Sequence, residues 1–189
     1  MRLSPTPLLL AALLGLSQCK KSHPDPANPE DQLPPATQTG AGTFGCLLNG
    51  QPWTPNGFNG YPNLQAIYDP SFNGGNLDIR VYMYPSGLKQ AQYVGFGGDQ
   101  ITKPGTYTIT TPSNPAPPGP YTVLFADGNV SSPCNMYQVG IGATQAGGQF
   151  TITRLDPTNR IVSGTFQFTL IRPSCDTIRI AQGRFDSKF

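Results

Sequence analysis

From Val162 to Leu170 the chain alternates without interruption. Val162, Gly164, Phe166, Phe168 and Leu170 fall on one side of an extended backbone, and Ser163, Thr165, Gln167 and Thr169 fall on the other. A helix would spread these nine residues around its circumference. A strand sorts them into one apolar face and one polar face, because successive side chains point in opposite directions. Leu77, Ile79, Val81 and Met83 repeat the pattern against Asp78, Arg80, Tyr82 and Tyr84, and shorter versions recur at Tyr107-Ile109, Tyr121-Val123-Phe125 and Phe150-Ile152. A chain built from such segments must bury one face of many strands and leave the other to water. Two antiparallel sheets packed as a β-sandwich do this, and so does a flattened barrel; the alternation alone leaves both open.

No window shows a helical period with caps, and the composition agrees. With 22 glycines, 21 prolines and only 12% charged residues, the sequence suits short strands and frequent turns. The expected architecture is all-β, with about nine or ten strands over residues 44–49, 64–69, 76–84, 92–98, 105–111, 121–127, 136–144, 148–155, 160–170 and 177–185. Turn chemistry separates them at Asn73-Gly74-Gly75-Asn76, Lys103-Pro104-Gly105, Asp127-Gly128-Asn129, Gly147-Gly148 and Asp156-Pro157-Thr158-Asn159. Such short connections favour antiparallel neighbours. Residues 112–120 carry too many prolines for a strand and are expected to form a loop.

The first residues read as an export signal. After Arg2, an apolar run from Leu8 to Leu16 is long enough for a secretory signal and too short for a permanent span. Leu16-Ser17-Gln18-Cys19 then resembles the lipobox of bacterial lipoproteins, with Gln18 in place of the usual small residue. The resemblance implies lipidation of Cys19 and cleavage just before it, so residues 1–18 are a signal peptide and the mature chain starts at an acylated cysteine. Several acyl chains on one residue would anchor it stably in a bilayer. Residues 19–42 are rich in Pro, Asn, Asp, Gln and Gly with almost nothing apolar, and are expected to form a disordered tether. The one histidine, His23, lies there. One folded domain follows at 43–189.

Export permits disulfides. Besides Cys19, the chain has Cys46, Cys134 and Cys175. Cys134 follows Ser132-Pro133 and Cys175 follows Pro173-Ser174, both loop-like, whereas Cys46 lies in an apolar strand. The expected bridge joins Cys134 to Cys175 and leaves Cys46 a buried thiol. The mature chain is close to electrically neutral with its charges dispersed, so nucleic acid is not an expected partner. Lys20 and Lys21 stand beside the anchor, where anionic headgroups would meet them.

Three segments together resemble a family of small, uncharacterised envelope lipoproteins of the Bacteroidetes. They are Leu33-Pro34-Pro35-Ala36-Thr37-Gln38-Thr39-Gly40 with Thr43 to Gly50 and Trp53; Phe150 to Asp156 with Ile161 to Phe166; and the closing Gly183 to Phe189. The resemblance brackets residues 33–189 and leaves about 57–145 unmatched. It implies a lipoprotein, a β-rich fold and residence in the cell envelope, and it carries over no active residue.

Chemistry is sparse. Nucleophilic catalysis of the serine–histidine type needs an imidazole that the domain lacks, and neither Lys103 nor Lys188 completes a Ser-x-x-Lys spacing, which in the domain only Ser86 and Lys89 have. Zinc needs clustered Cys or His, and calcium a ligand loop, and neither pattern is present. No cofactor or metal is therefore expected. Seven aspartates, Asp69, Asp78, Asp99, Asp127, Asp156, Asp176 and Asp186, leave a glycosidase pair conceivable. Most of them lie beside turns, where Asp serves local hydrogen bonding.

Binding is better supplied. Trp53, Tyr61, Tyr68, Tyr82 and Tyr84 lie near Asn- and Gly-rich loops such as Asn56 to Gly60. Tyr82 and Tyr84 should face outward if Leu77 to Met83 face the core, and with Tyr68 they are the candidate ligand-binding residues. Trp53 is expected to plug the core. The sequence thus points to a non-enzymatic envelope lipoprotein, lipid-anchored at the outer membrane and facing the periplasm, that binds or braces an envelope component. A surface glycan-binding accessory protein is the alternative, and a glycoside hydrolase using paired aspartates comes third.

Overall fold

A computed structural model describes residues 28–84, 90–111, 121–139, 141 and 144–189. The signal segment, Cys19, Lys20, Lys21, His23, Lys89 and the loop 112–120 lie outside the described residues. Eleven strands form two antiparallel sheets packed face to face and unclosed, so the fold is a sandwich and not a barrel. In chain order they are β1 (Thr43–Leu48), β2 (Gln51–Trp53), β3 (Leu64–Asp69), β4 (Asn76–Met83), β5 (Gln92–Gly98), β6 (Gly105–Thr110), β7 (Tyr121–Asp127), β8 (Met136–Gln138), β9 (Gln145–Asp156), β10 (Ile161–Ile171) and β11 (Ile178–Lys188). One sheet runs β2-β1-β11-β10-β9-β6 and the other β3-β4-β5-β7-β8. The additional strand is β2, three residues that return Trp53 beside Cys46 across a tight turn at Asn49-Gly50. The strand expected over 136–144 ends at Gln138.

The alternation read from the sequence becomes the core. Leu77, Ile79 and Val81 of β4 point inward with Val94 and Phe96 of β5, against Phe150, Phe166, Phe168 and Phe185 of the facing sheet. Phe96 is the keystone: its ring meets those of Phe150, Phe166, Phe168 and Phe185 at centroid distances of 5.4, 4.8, 5.3 and 5.5 Å. Trp53 is buried as expected, edge-on to Phe44, with its indole N–H donating to Gln92 Oε1 at 2.9 Å. Cys134 and Cys175 are bridged with Cα atoms 5.5 Å apart. The bridge ties the segment before β8 to the β10–β11 turn, and so joins the two sheets at one end. Cys46 is a free, buried thiol, and burial pushes its pKa up to about 12.

Secondary structure begins before residue 43. Residues 28–42 were expected to be tether, yet they form a leader packed on the outer face of the six-stranded sheet. It opens with a 3-10 turn over Pro29–Gln32, started by Asn28, whose side chain accepts from the Glu30 N–H. Leu33, the one large apolar residue of the segment, is buried. The rest is held by hydrogen bonds that hydropathy does not register, and they converge on Asp186.

Candidate functional site

Asp186 sits on β11 opposite Ser163 of β10 and Thr43 of β1. All three belong to the outer face, where water would be expected, but the leader covers them and Asp186 is only 1% exposed. Its carboxylate accepts from Ser163 Oγ (2.7 Å), Thr37 Oγ1 (2.7 Å), Thr39 Oγ1 (3.3 Å) and the backbone N–H groups of Thr39 (2.9 Å), Gly40 (2.7 Å) and Ala41 (3.1 Å). Burial alone would raise its pKa. The hydrogen bonds from Ser163, Thr37, Thr39 and Ala41 outweigh that and hold the carboxyl well below the usual carboxylate range. Two arginines fasten the leader elsewhere: Arg154 donates to the Gln38 carbonyl, and Arg184 pairs with Glu30 at 3.1 Å. Sequence reasoning missed this cluster. Its one visible trace is an Asp beside Ser187 in the last strand, where alternation falters.

The other aspartates are also largely occupied. Asp69 caps a turn through the Ser71 N–H, Asp78 takes Arg80 Nε at 2.8 Å, and Asp99 takes Asn73 and Asn76. Asp127 takes Gln92 and Asn129, and Asp156 takes Arg154 and Asn159. Hydrogen bonds from Asn159 and Arg154 hold the Asp156 carboxyl far below its ordinary range. A glycosidase acid needs a carboxyl raised toward neutrality, and the resolved carboxyl shifts, at Asp69, Asp156 and Asp186, all run the other way.

The candidate binding residues divide. Tyr68 faces inward: it lies opposite buried Leu77, donates its hydroxyl to the Ile101 carbonyl at 2.9 Å and packs edge-on against Phe189. It is half-buried against the core, and burial raises the pKa of its hydroxyl. Tyr82 and Tyr84 face outward as the alternation requires, with rings parallel to within 6° and centroids 5.9 Å apart. Tyr93 of β5 joins them, in register with Tyr82 and 4.8 Å from it at 55°.

The three rings make a corner. Tyr93 lies down along the sheet, and this depends on Gly95. A Cβ there would stand 2.2 Å from the Tyr93 hydroxyl, so only glycine leaves room for the ring. Half-buried, with Asp78 and Tyr82 nearby, the Tyr93 hydroxyl is pushed up to about 12. Tyr82 stands beside it, Leu124 and Ala126 of β7 extend the floor, and the Asp78–Arg80 pair supplies a polar edge. On the far side, the Asn56 carbonyl accepts the Tyr84 N–H at 2.8 Å, which brings in the loop bearing exposed Phe58 and Tyr61. Two members were legible from period two. Tyr93 was not, because pairing β5 with β4 needs a register that one sequence does not supply.

Chemically, the corner offers apolar ring faces next to a charge-paired hydrogen-bonding edge. Among the described residues it holds no nucleophile with a base, and no three Cys, His, Asp or Glu side chains gather as a metal site. Comparison with protein-family models, with curated proteins and with solved structures returned no match for the chain.

Proposed function

We propose that the chain is a membrane-anchored envelope lipoprotein, tethered by lipid on Cys19, whose sandwich serves as a non-enzymatic binding module at the periplasmic side of the outer membrane. The observation that carries the binding part is the Tyr82–Tyr84–Tyr93 corner. Large aromatic side chains grouped on an outer sheet face expose area that water solvates poorly, and such groups serve recognition. The engagement of most aspartates in structural hydrogen bonds supports a role without catalysis. The docked leader fits the anchoring reading. The described leader starts nine steps after Cys19, and even a fully extended chain of that length spans only about 30 Å, so the domain would ride close to the bilayer.

A second reading, a glycan-binding accessory protein at the cell surface, is favoured by the same corner. Sugar rings stack their C–H faces on aromatic rings and hydrogen-bond at their rims, as Tyr93 with Asp78 and Arg80 would allow.

The test is fractionation and protease shaving. Cys19→Ser should move the protein from the membrane to the soluble fraction, and its retention on membranes would remove the anchor. Protection of the domain in intact cells, with digestion after lysis, is the result expected for a periplasmic module. Digestion in intact cells would favour the surface glycan reading.

A further inference from the structure

The opposite face of the molecule carries a surface unrelated to the tyrosine corner. Beyond the edge of the leader, the six-stranded sheet presents two cross-strand rows. Thr106, Thr151, Thr165 and Arg184 lie in register in one; Thr108, Gln149 and Gln167 lie in register in the next. A bulge in β11 leaves both Ala181 and Gln182 exposed, and so adds Gln182 beside Gln167. Neighbours within a row stand about 4.8 Å apart, and the rows about 7 Å apart.

These rows are not a flat surface. Glu30 and Ala36 of the leader form a wall along one side, and the Arg184–Glu30 pair closes a corner. The groove measures about 390 Å³, within the range of small-ligand sites. Gly183 keeps its place in the floor because a Cβ there would come 2.5 Å from the ring of Phe166, which packs in the core beneath the sheet.

The lining restricts what can sit there. Arg184 and Glu30 neutralise each other, so the groove has no net charge with which to hold an ion. An apolar ligand would strip water from amides and hydroxyls and return nothing. The side-chain amides of Gln149, Gln167 and Gln182 line the groove and have no hydrogen-bond partner among the described residues. Each amide presents two donors and an acceptor, and each threonine hydroxyl does either task. A matching ligand is neutral and carries hydroxyls every few ångströms.

We propose that this groove is a binding site for a neutral oligosaccharide, with the docked leader as one of its walls. The proposal goes beyond the tyrosine corner and rests on different residues, so either can fail alone. The test is nuclear magnetic resonance on the detergent-solubilised full chain, titrated to millimolar cellohexaose or chitohexaose. The side-chain amide signals of Gln149, Gln167 and Gln182 should shift saturably with at least one of the two sugars. Binding should weaken roughly ten-fold in Gln149→Ala/Gln167→Ala, as expected for two lost hydrogen bonds. It should persist in Tyr82→Ala/Tyr84→Ala. Unchanged melting of both variants keeps the comparison sound. No shift with either sugar overturns the proposal. Shifts confined to the tyrosine corner overturn it too, while supporting the glycan reading of that corner. Groove signals that move with protein concentration and not with sugar would make the face a contact between copies of this chain, which is also a refutation.

Discussion

Replacing Asp186 with alanine should release the leader and destabilise the sandwich by about 2–5 kcal/mol, the hydrogen bonds to its charge and the burial of Leu33 together. The carboxylate collects six donors between 2.7 and 3.3 Å, three of them backbone N–H groups of consecutive leader residues. Hydrogen bonds to a charged group contribute roughly 1.5–3 kcal/mol each, but they do not sum here. Without the acceptor, the leader detaches and its donors turn to water. The loss is therefore bounded by what the docked leader contributes. That includes the burial of Leu33, about 1.5–3 kcal/mol, and the contacts of Arg154 and Arg184. Urea denaturation at pH 7 measures the loss. Hydrogen exchange identifies its cause: the Thr39, Gly40 and Ala41 amides should exchange freely in the variant while core strands stay protected.

Acid supplies a second readout. The folded pKa of Asp186 is depressed, so its contribution is fully present above the unfolded value of about 3.9 and is lost as pH falls through the folded value. The gap between wild type and Asp186→Ala should therefore narrow below about pH 4. A loss under about 1 kcal/mol with the three amides still protected would refute the reasoning.

Cys134→Ser/Cys175→Ser should lower stability by up to about 4 kcal/mol, the loop-closure entropy of a bridge spanning 41 residues, read as a shifted denaturation midpoint. Phe96→Ala should cost about 3–5 kcal/mol, because it empties the meeting point of four aromatic rings, and thermal unfolding would register it. Gly95→Ala should lift Tyr93 off the sheet; a spectrophotometric titration should then find its pKa falling from about 12 toward the ordinary tyrosine value.

The strands were legible because a half-buried strand writes its two faces into the order of residues. Leu77 to Met83 and Val162 to Leu170 needed nothing else. The disulfide was legible by elimination: Cys46 occupies an apolar strand, and the other two cysteines follow prolines in loops. The leader was not, because its attachment depends on threonine hydroxyls, backbone N–H groups and one carboxylate some 145 residues downstream. A Pro-, Thr- and Gly-rich segment reads the same whether it is solvated or docked, and Leu33 was too slight a signal alone. The facing of Tyr68 was not legible for a related reason. Period two sorts the residues of a strand into two sets, but its strand is short, and which set turns inward is decided by its neighbour β4. The groove of glutamines needed β9, β10 and β11 in register, plus a bulge, before its residues became neighbours.

The leader and β1 both close onto β11. A ribosome delivers a polypeptide from its N-terminus, so the leader waits for a carboxylate some 145 residues downstream. Until β11 arrives, the leader has nothing to gather around and β1 lacks its longer neighbour. Contacts of such sequence separation form slowly, because a long loop must close before they can contribute. The leader and β1 consequently stay unlocked until β11 is delivered, and its arrival fastens both.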